Sequence, residues 1–223
     1  MRVVTGKSSV EVSAREFRAR AAGYDALWLD IGTGDGALPY RLAGSFPDVL
    51  CAGLDPNVEG MAENAHRAGR KPARGGRANC VYVAASVEEP PGALAGAAQA
   101  ITINFPWAAL LAIVLGESDG GTLTGLGAFA AEDCVAQLLV NEVTDLPGVP
   151  SVAPEMLRER VGPNLAAAGF VIESCEWLER EAQVRSRWGG RLIRGSGRRV
   201  VRLRALRGTP PARALALVEA VSD

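Results

Sequence analysis

Three glycines alternate with other residues in the run Asp30-Ile31-Gly32-Thr33-Gly34-Asp35-Gly36, at the end of the apolar stretch Leu27–Ile31. Glycines at a strand-to-helix corner permit a tight turn and let the backbone approach a ligand closely. The chemistry that suits such a corner is nucleotide-cofactor binding. Positions 32, 34 and 37 also read as G-x-G-x-x-A, so a dinucleotide is weighed beside S-adenosylmethionine. Asp30 and Asp35 flank the turn. A pyrophosphate lodged there would meet like charge, whereas a methionine ammonium would be attracted. Asp55 follows 25 residues after Asp30, at the end of the apolar run Val49–Leu54. A carboxylate there can accept hydrogen bonds from both hydroxyls of an adenosine ribose, which suits either cofactor. The charge at the turn therefore favours S-adenosylmethionine, with S-adenosyl-L-homocysteine as product. Thr33, Pro56 and Asn104 join the expected cofactor set with Gly32 and Gly34, and the loop Ala85–Glu89 brings Ser86, Val87 and Glu88 toward the adenine.

The methyl acceptor is expected where Asn104-Phe105-Pro106-Trp107 leaves the fourth core strand. Pro106 fixes the backbone there. Trp107 either packs into the core or offers a stacking face to a flipped base. Trp188 lies in Arg185-Ser186-Arg187-Trp188-Gly189-Gly190-Arg191, a polar stretch with little local core to join. An aromatic ring between arginines can stack a base while the guanidiniums hold phosphates. Phe105, Pro106, Trp107 and Trp188 are thus the candidate reaction-site residues. A neutral adenine N1 carries its own lone pair, so positioning and exclusion of water could suffice without a strong general base. His66, the only histidine, falls in the second helix and reads as a surface or phosphate contact.

Net charge is −1, but the charges are unevenly distributed. Ten arginines and no acid fall between Arg185 and Arg213, and Arg67, Arg70, Lys71, Arg74 and Arg77 form a second cluster. Local fields follow local charge. Arg67, Arg70, Lys71, Arg74, Arg185, Arg187, Arg191, Arg194 and Arg198 are the candidate phosphate contacts, to nucleic acid such as RNA; an ordinary solvated arginine surface is the alternative.

The elements that must position these residues alternate strand and helix. Strands are expected at 27–31, 49–54, 80–84, 100–105, 134–143, 170–177 and 200–206. A capping box, Ser13 with Glu16, opens a helix over Ala14–Ala22. Further helices are expected over 37–43, from Pro56-Asn57 to 68, after Trp107 to 115, over 122–130 and over 156–168. A short hairpin is expected within Val3–Val12, and the tail from Thr209 to Asp223 holds an Ala-rich helical turn. This order makes an α/β fold with a mostly parallel seven-stranded sheet covered on both faces, Rossmann-like, with ligands beyond the carboxyl ends of the strands. One domain over 1–223 is expected, with 1–13 as the hairpin and 144–155 and 179–197 as substrate-side loops. The four cysteines show no metal-ligand spacing and read as buried thiols. No apolar run is long enough to span a membrane, and the first residues lack a signal-peptide core, so a cytoplasmic protein is expected.

The chain resembles the small-subunit ribosomal RNA methyltransferases that modify N1 of adenine 1408 and confer aminoglycoside resistance. The matching stretches are Asp30–Gly36, Gly53-Leu-Asp-Pro-Asn57, Arg70-Lys-Pro-Ala-Arg-Gly-Gly76 with Asn79, Phe105-Pro-Trp107, and Ser186-Arg-Trp188 with Arg191-Leu192. They span about residues 2 to 206. The resemblance implies that Asp30, Gly32 and Asp55 hold S-adenosylmethionine with Glu88 near its adenine, and that Phe105 and Pro106 shape the pocket. It implies that Trp107 and Trp188 sandwich the flipped adenine, and that Arg67, Lys71 and the arginines of the last loop and strand dock on the assembled 30S subunit through 16S rRNA. A monomer is expected. The chain departs from the family at Ala109, where Ser or Thr is usual, at Arg187, and in the glycine-rich 116–130. Weak turnover, another RNA or a small metabolite as acceptor, and RNA binding without turnover stay open as alternatives.

Overall fold

Residues 26–31 and 49–54 are buried along their whole length, as strands covered on both faces must be. The computed structural model describes residues 1–115, 122–142, 152–178 and 199–222. In chain order the elements are β1 (Arg2–Val4), β2 (Ser9–Glu11), α1 (Ala14–Ala21), β3 (Ala26–Ile31), α2 (Ala37–Ser45), β4 (Val49–Leu54), α3 (Val58–Ala68) and β5 (Cys80–Val83). Then follow β6 (Ala98–Asn104), α4 (Ala108–Val114), α5 (Thr122–Phe129), β7 (Ala130–Asn141), α6 (Pro154–Ala167), β8 (Val171–Trp177), β9 (Val200–Arg207) and α7 (Ala212–Ser222).

The sheet order is β2-β1-β5-β4-β3-β6-β7-β9-β8. The strands β5, β4, β3, β6 and β7 run parallel, and β9 lies antiparallel between β7 and β8. This is the expected seven-stranded α/β sheet. The N-terminal hairpin adds two strands to it, because Val3 of β1 pairs with Val83 of β5. The strand order reverses at β3 and β6, which puts the crevice for a ligand beyond their carboxyl ends. One face of the sheet is covered by α1, α4, α5 and α6 around Phe17, Leu111, Leu126 and Leu157. The other is covered by α2, α3 and α7 around Leu42, Met61 and Leu217.

Local chemistry accounts for the helix starts near the crevice. Ser13 and Glu16 form the expected capping box on α1. Asn57 caps α3 by accepting the Gly60 N–H at 3.0 Å. Cys51, Cys80 and Cys134 are buried in β4, β5 and β7, and Cys175 is half-buried in β8. Burial pushes the Cys80 and Cys175 thiols up to about 11 and that of Cys134 to about 12, which leaves them protonated.

Several boundaries differ from the sequence reading; β6 begins at Ala98 rather than 100 and α2 runs to Ser45 rather than 43. β7 begins at Ala130, four residues before Cys134, and Val143 lies outside the described residues. Of the expected substrate-side loop at 144–155, Pro154 and Glu155 form the first turn of α6, where proline is tolerated. The tail is a full helix. Ala214, Leu217, Val218 and Val221 recur at helical spacing and are all buried, against β3, β6 and β7. Gln137 of β7 donates to the Val218 carbonyl at 2.9 Å. Helix α7 thus covers Trp28 and the face that carries Asp30. Replacing Leu217 by Ala removes a fully buried side chain from that layer, and urea denaturation is expected to show a loss of about 3 kcal/mol.

Candidate active site

Asp30 closes β3 with 3% of its surface exposed. Its register partner on β6 is Thr102, and Asn104 follows two residues later on the same face. The Thr102 hydroxyl and the Asn104 amide both donate to Asp30 Oδ1 at 2.8 Å. Burial nonetheless raises the carboxyl from 3.8 to about 6, against the lowering effect of its hydrogen bonds. The Asn104 Oδ1 is buried and has no hydrogen-bond partner among the described residues. A carboxylate and an amide oxygen therefore share one crevice, and a cation with N–H donors is the group that satisfies both.

The glycine turn needs its glycines. Gly32, Gly34 and Gly36 have φ of 70, 61 and 69°, which side chains disfavour. A side chain at Gly32 would meet Leu110 of α4, and one at Gly36 would meet the Tyr82 ring. The Gly32 and Thr33 N–H groups donate to the Leu54 carbonyl at 2.8 and 3.1 Å. Asp55 is fixed from two sides, since Oδ2 accepts the Gly34 N–H at 2.9 Å and Oδ1 accepts the Asn57 N–H at 2.8 Å. Each oxygen keeps a lone pair for a diol. Asp35 Oδ1 accepts the Ala37 N–H at 3.0 Å at the start of α2. Pro56 is exposed beside Asp55. Beyond β5, Ser86 is half-buried, Val87 is buried and Glu88 is exposed. Gly125 of α5 lies so close to the Val87 carbonyl that a side chain there would overlap it, which sets the height of this loop.

The acceptor corner is strained. Phe105 (φ 53°) and Ala108 (φ 48°) are the two described non-glycine residues with positive φ, and they bracket Pro106-Trp107. Phe105 and Pro106 are buried, and the Phe105 N–H donates to the Leu139 carbonyl at 2.8 Å. Trp107 is 75% exposed. It is the largest aromatic surface among the described exposed residues, and it sits three residues beyond Asn104. Core packing is therefore not its role.

A third feature is the basic loop. Pro72–Arg74 form a 3-10 turn, Gly75 caps it with φ 83°, and a side chain at Gly76 would run into the Arg70 carbonyl. Arg70, Lys71 and Arg74 are exposed and, among the described residues, pair with no carboxylate. Arg67 is half-buried over the Tyr40 ring, 4.4 Å from its centroid. His66 is exposed on α3, with its Cβ near Gly6 of the hairpin turn.

The arginines of the last strand are tied within the chain. Arg202 pairs with Glu176, Arg204 with Glu173 and Glu219, and Arg213 with Asp48. Arg207 donates to the Gly127 carbonyl at 2.9 Å. Arg199 pairs with Glu142 at 2.7 Å and covers the Trp177 ring at 3.8 Å, joining the crevice-side ends of β7, β8 and β9. The acids come from neighbouring elements, so the basic run in sequence overstates the free charge. Arg185, Arg187, Trp188, Arg191, Arg194 and Arg198 lie outside the described residues.

Thr102, Tyr82, Leu110 and the left-handed backbone at Phe105 and Ala108 were not read from the sequence. Thr102 was findable, because alternation on β6 places it on the face of Asn104.

Comparison with known proteins agrees with this geometry. The family model for 16S rRNA (adenine(1408)-N(1))-methyltransferase matches residues 2–207. The enzyme of that name from Streptoalloteichus hindustanus is 34% identical over 200 residues, covering 86% of this chain and 92% of that one. The enzyme of that name from Escherichia coli is 28% identical over 213 residues, covering 91% and 97%. A crystal structure of a variant of the Catenulisporales acidiphilia enzyme with its cosubstrate SAM superposes with a TM-score of 0.84 at 31% identity, covering 94% and 98%. The antibiotic-resistance methyltransferase Kmr superposes with a TM-score of 0.79 at 37% identity, covering 95% and 100%.

Two outcomes follow from the geometry. The folded Asp30 carboxyl titrates at about 6 and the unfolded one near 3.8, so the folded chain binds the extra proton between those values. Stability of the ligand-free protein is therefore expected to fall as pH rises across that window, by up to about 3 kcal/mol. Asp30→Asn should flatten this part of a thermal-denaturation profile; an unchanged profile would contradict the assignment. At position 108 the Cβ is the strained group. Ala108→Val is expected to be less stable than Ala108→Gly by about 1–2 kcal/mol in urea melts, and equal midpoints would show an unstrained corner.

Proposed function

Because the chain belongs to the 16S rRNA (adenine(1408)-N(1))-methyltransferase family, we propose that its acceptor site lies between the exposed face of Trp107 and the Asp30–Asn104 crevice. The chain transfers a methyl group from S-adenosylmethionine to N1 of adenine 1408 of 16S rRNA, a modification that gives aminoglycoside resistance. The residues present fit the cofactor. Asp30 and the unpartnered Asn104 Oδ1 suit its ammonium, the oriented Asp55 carboxylate suits its ribose, and the left-handed Gly32 and Gly34 with Thr33 leave backbone open along the turn. Ser86, Val87 and Glu88 line the side on which its adenine belongs. Bound S-adenosylmethionine supplies the methyl group on a sulfonium centre.

The exposure of Trp107 beside a buried acidic crevice carries the reading. An indole held in water at a cofactor site has no packing role and does have a stacking face for a base drawn out of its helix. Trp188, placed by sequence alone, is the proposed second face. Phe105 and Pro106 keep Trp107 at the rim. Adenine N1 attacks through its own lone pair, so these residues orient and desolvate rather than remove a proton. Arg67, Arg70, Lys71 and Arg74 are the proposed phosphate contacts, with Arg185, Arg187, Arg191, Arg194 and Arg198. The 30S subunit is the partner. No described helix is long and apolar enough to cross a membrane. A single methyltransferase domain acting as a monomer in the cytoplasm completes the proposal.

The test is transfer of labelled methyl to purified 30S subunits, with the base mapped by a primer-extension stop at 1408. Trp107→Ala and Trp188→Ala are each expected to lose at least about a hundredfold in turnover, with cofactor affinity by calorimetry near wild type. Lost cofactor affinity in both would remove the stacking role. Since ionised Asp30 is the form that attracts the ammonium, cofactor affinity should fall about tenfold per pH unit below about 6 and level off above it. A flat profile from pH 5 to 8 would assign the ammonium to another group.

A further inference from the structure

The cofactor turn and the basic loop are joined by a continuous set of contacts. Asn64 of α3, 6% exposed, donates from Nδ2 to the Asp35 carbonyl of the turn at 2.7 Å. Its Oδ1 accepts from Arg67 Nη1 at 3.2 Å. The Arg67 guanidinium lies over the Tyr40 ring at 4.4 Å, and Arg77 approaches the same ring at 5.7 Å. The Tyr40 hydroxyl donates to the Gly75 carbonyl at 2.6 Å. Tyr40 stands one turn into α2, the helix that begins at Gly36 of the cofactor turn.

We propose that Tyr40 is a positioning residue for the 30S substrate: its ring orients Arg67 and its hydroxyl fixes the loop Arg70–Gly76, so that the docking cations are held at a set place relative to the cofactor turn. The inference rests on the reading of Arg67, Arg70, Lys71 and Arg74 as RNA contacts. Three physical points support it. The loop carries Gly75 in the left-handed region and has no room for a side chain at Gly76, so its shape is demanding and needs an anchor. The anchor is a short phenol-to-carbonyl hydrogen bond from a helix rather than from another loop. Cations already ordered before docking lose less conformational freedom when they meet phosphates, which favours affinity without touching the reacting atoms. Tyr40 itself is half-buried beneath Arg67 and is not offered to RNA.

The experiment is steady-state methylation of 30S subunits by the full chain carrying Tyr40→Leu, Tyr40→Phe or Lys71→Ala, with cofactor affinity measured separately. Tyr40→Leu removes ring and hydroxyl and is expected to raise KM for 30S about tenfold, and Tyr40→Phe, which keeps the ring, about threefold. The kcat and the affinity for S-adenosylmethionine are expected to stay at wild-type values. Should Tyr40→Leu fail to fold, Tyr40→Phe carries the same test, since it deletes one oxygen. A raised KM in Lys71→Ala with no change in either Tyr40 variant overturns the inference alone. An unchanged KM in all three overturns the docking reading and the inference with it. A loss of kcat or of cofactor affinity at unchanged KM would place Tyr40 in the scaffold of the cofactor turn and also overturn it.

Discussion

A carboxylate at the end of the central strand has to stay in the core with no cation from the described residues beside it. Asp30 manages this through two donors on the neighbouring strand, Thr102 and Asn104, and still has its carboxyl raised to about 6. Two hydrogen bonds do not replace water around an ionised group. The balance is left open on the side of the crevice, where the unpartnered Asn104 Oδ1 also lies. The rest of the edge is arranged around this deficit. The left-handed turn brings backbone past Asp30, Asp55 is aimed by two N–H groups, and α7 seals the sheet face behind. An incompletely satisfied carboxylate lowers stability near neutral pH and creates a site for an ammonium, which is the usual exchange of stability for function.

Most of this edge was legible in the sequence, because each part has a local signature. The glycine turn after an apolar run, Asp55 ending the next strand and the Ser13–Glu16 capping box depend on residues close in sequence. The mostly parallel sheet and its two helix layers follow from the alternation of strand and helix, whereas the strand order came only from the structure. What was not legible depends on partners far apart along the chain. The acids that neutralise Arg202, Arg204 and Arg213 come from β8, α7 and the segment before β4. The bond from the Ala37 N–H to Asp35 Oδ1 depends on the side-chain conformation, which composition does not reveal. The tail helix is a different case. Its spacing at 214, 217, 218 and 221 was visible, but short alanine-rich segments read weakly until the uncovered sheet face that receives them is known.

The acceptor corner shows why an exposed tryptophan persists. Burying an indole against nearby apolar surface would gain roughly 2–3 kcal/mol. Relaxing Phe105 and Ala108 out of the left-handed region would gain about 1 kcal/mol or more at each. Both terms favour a collapsed loop, so the observed one must be held by stronger local constraints. The structure supplies them on either side of Trp107. Upstream, Phe105 and Pro106 are buried and the Phe105 N–H is tied to Leu139 of β7. Downstream, the Leu110 side chain of α4 packs against Gly32. The glycine at 32 is required for its φ of 70°, and the end of the Leu110 side chain lies against it. Through that contact the cofactor turn sets where α4 begins, and the start of α4 sets where the indole stands. A base that stacks on Trp107 is thereby placed relative to the cofactor by the backbone of the turn, which accounts for chemistry that needs alignment more than it needs an acid or a base.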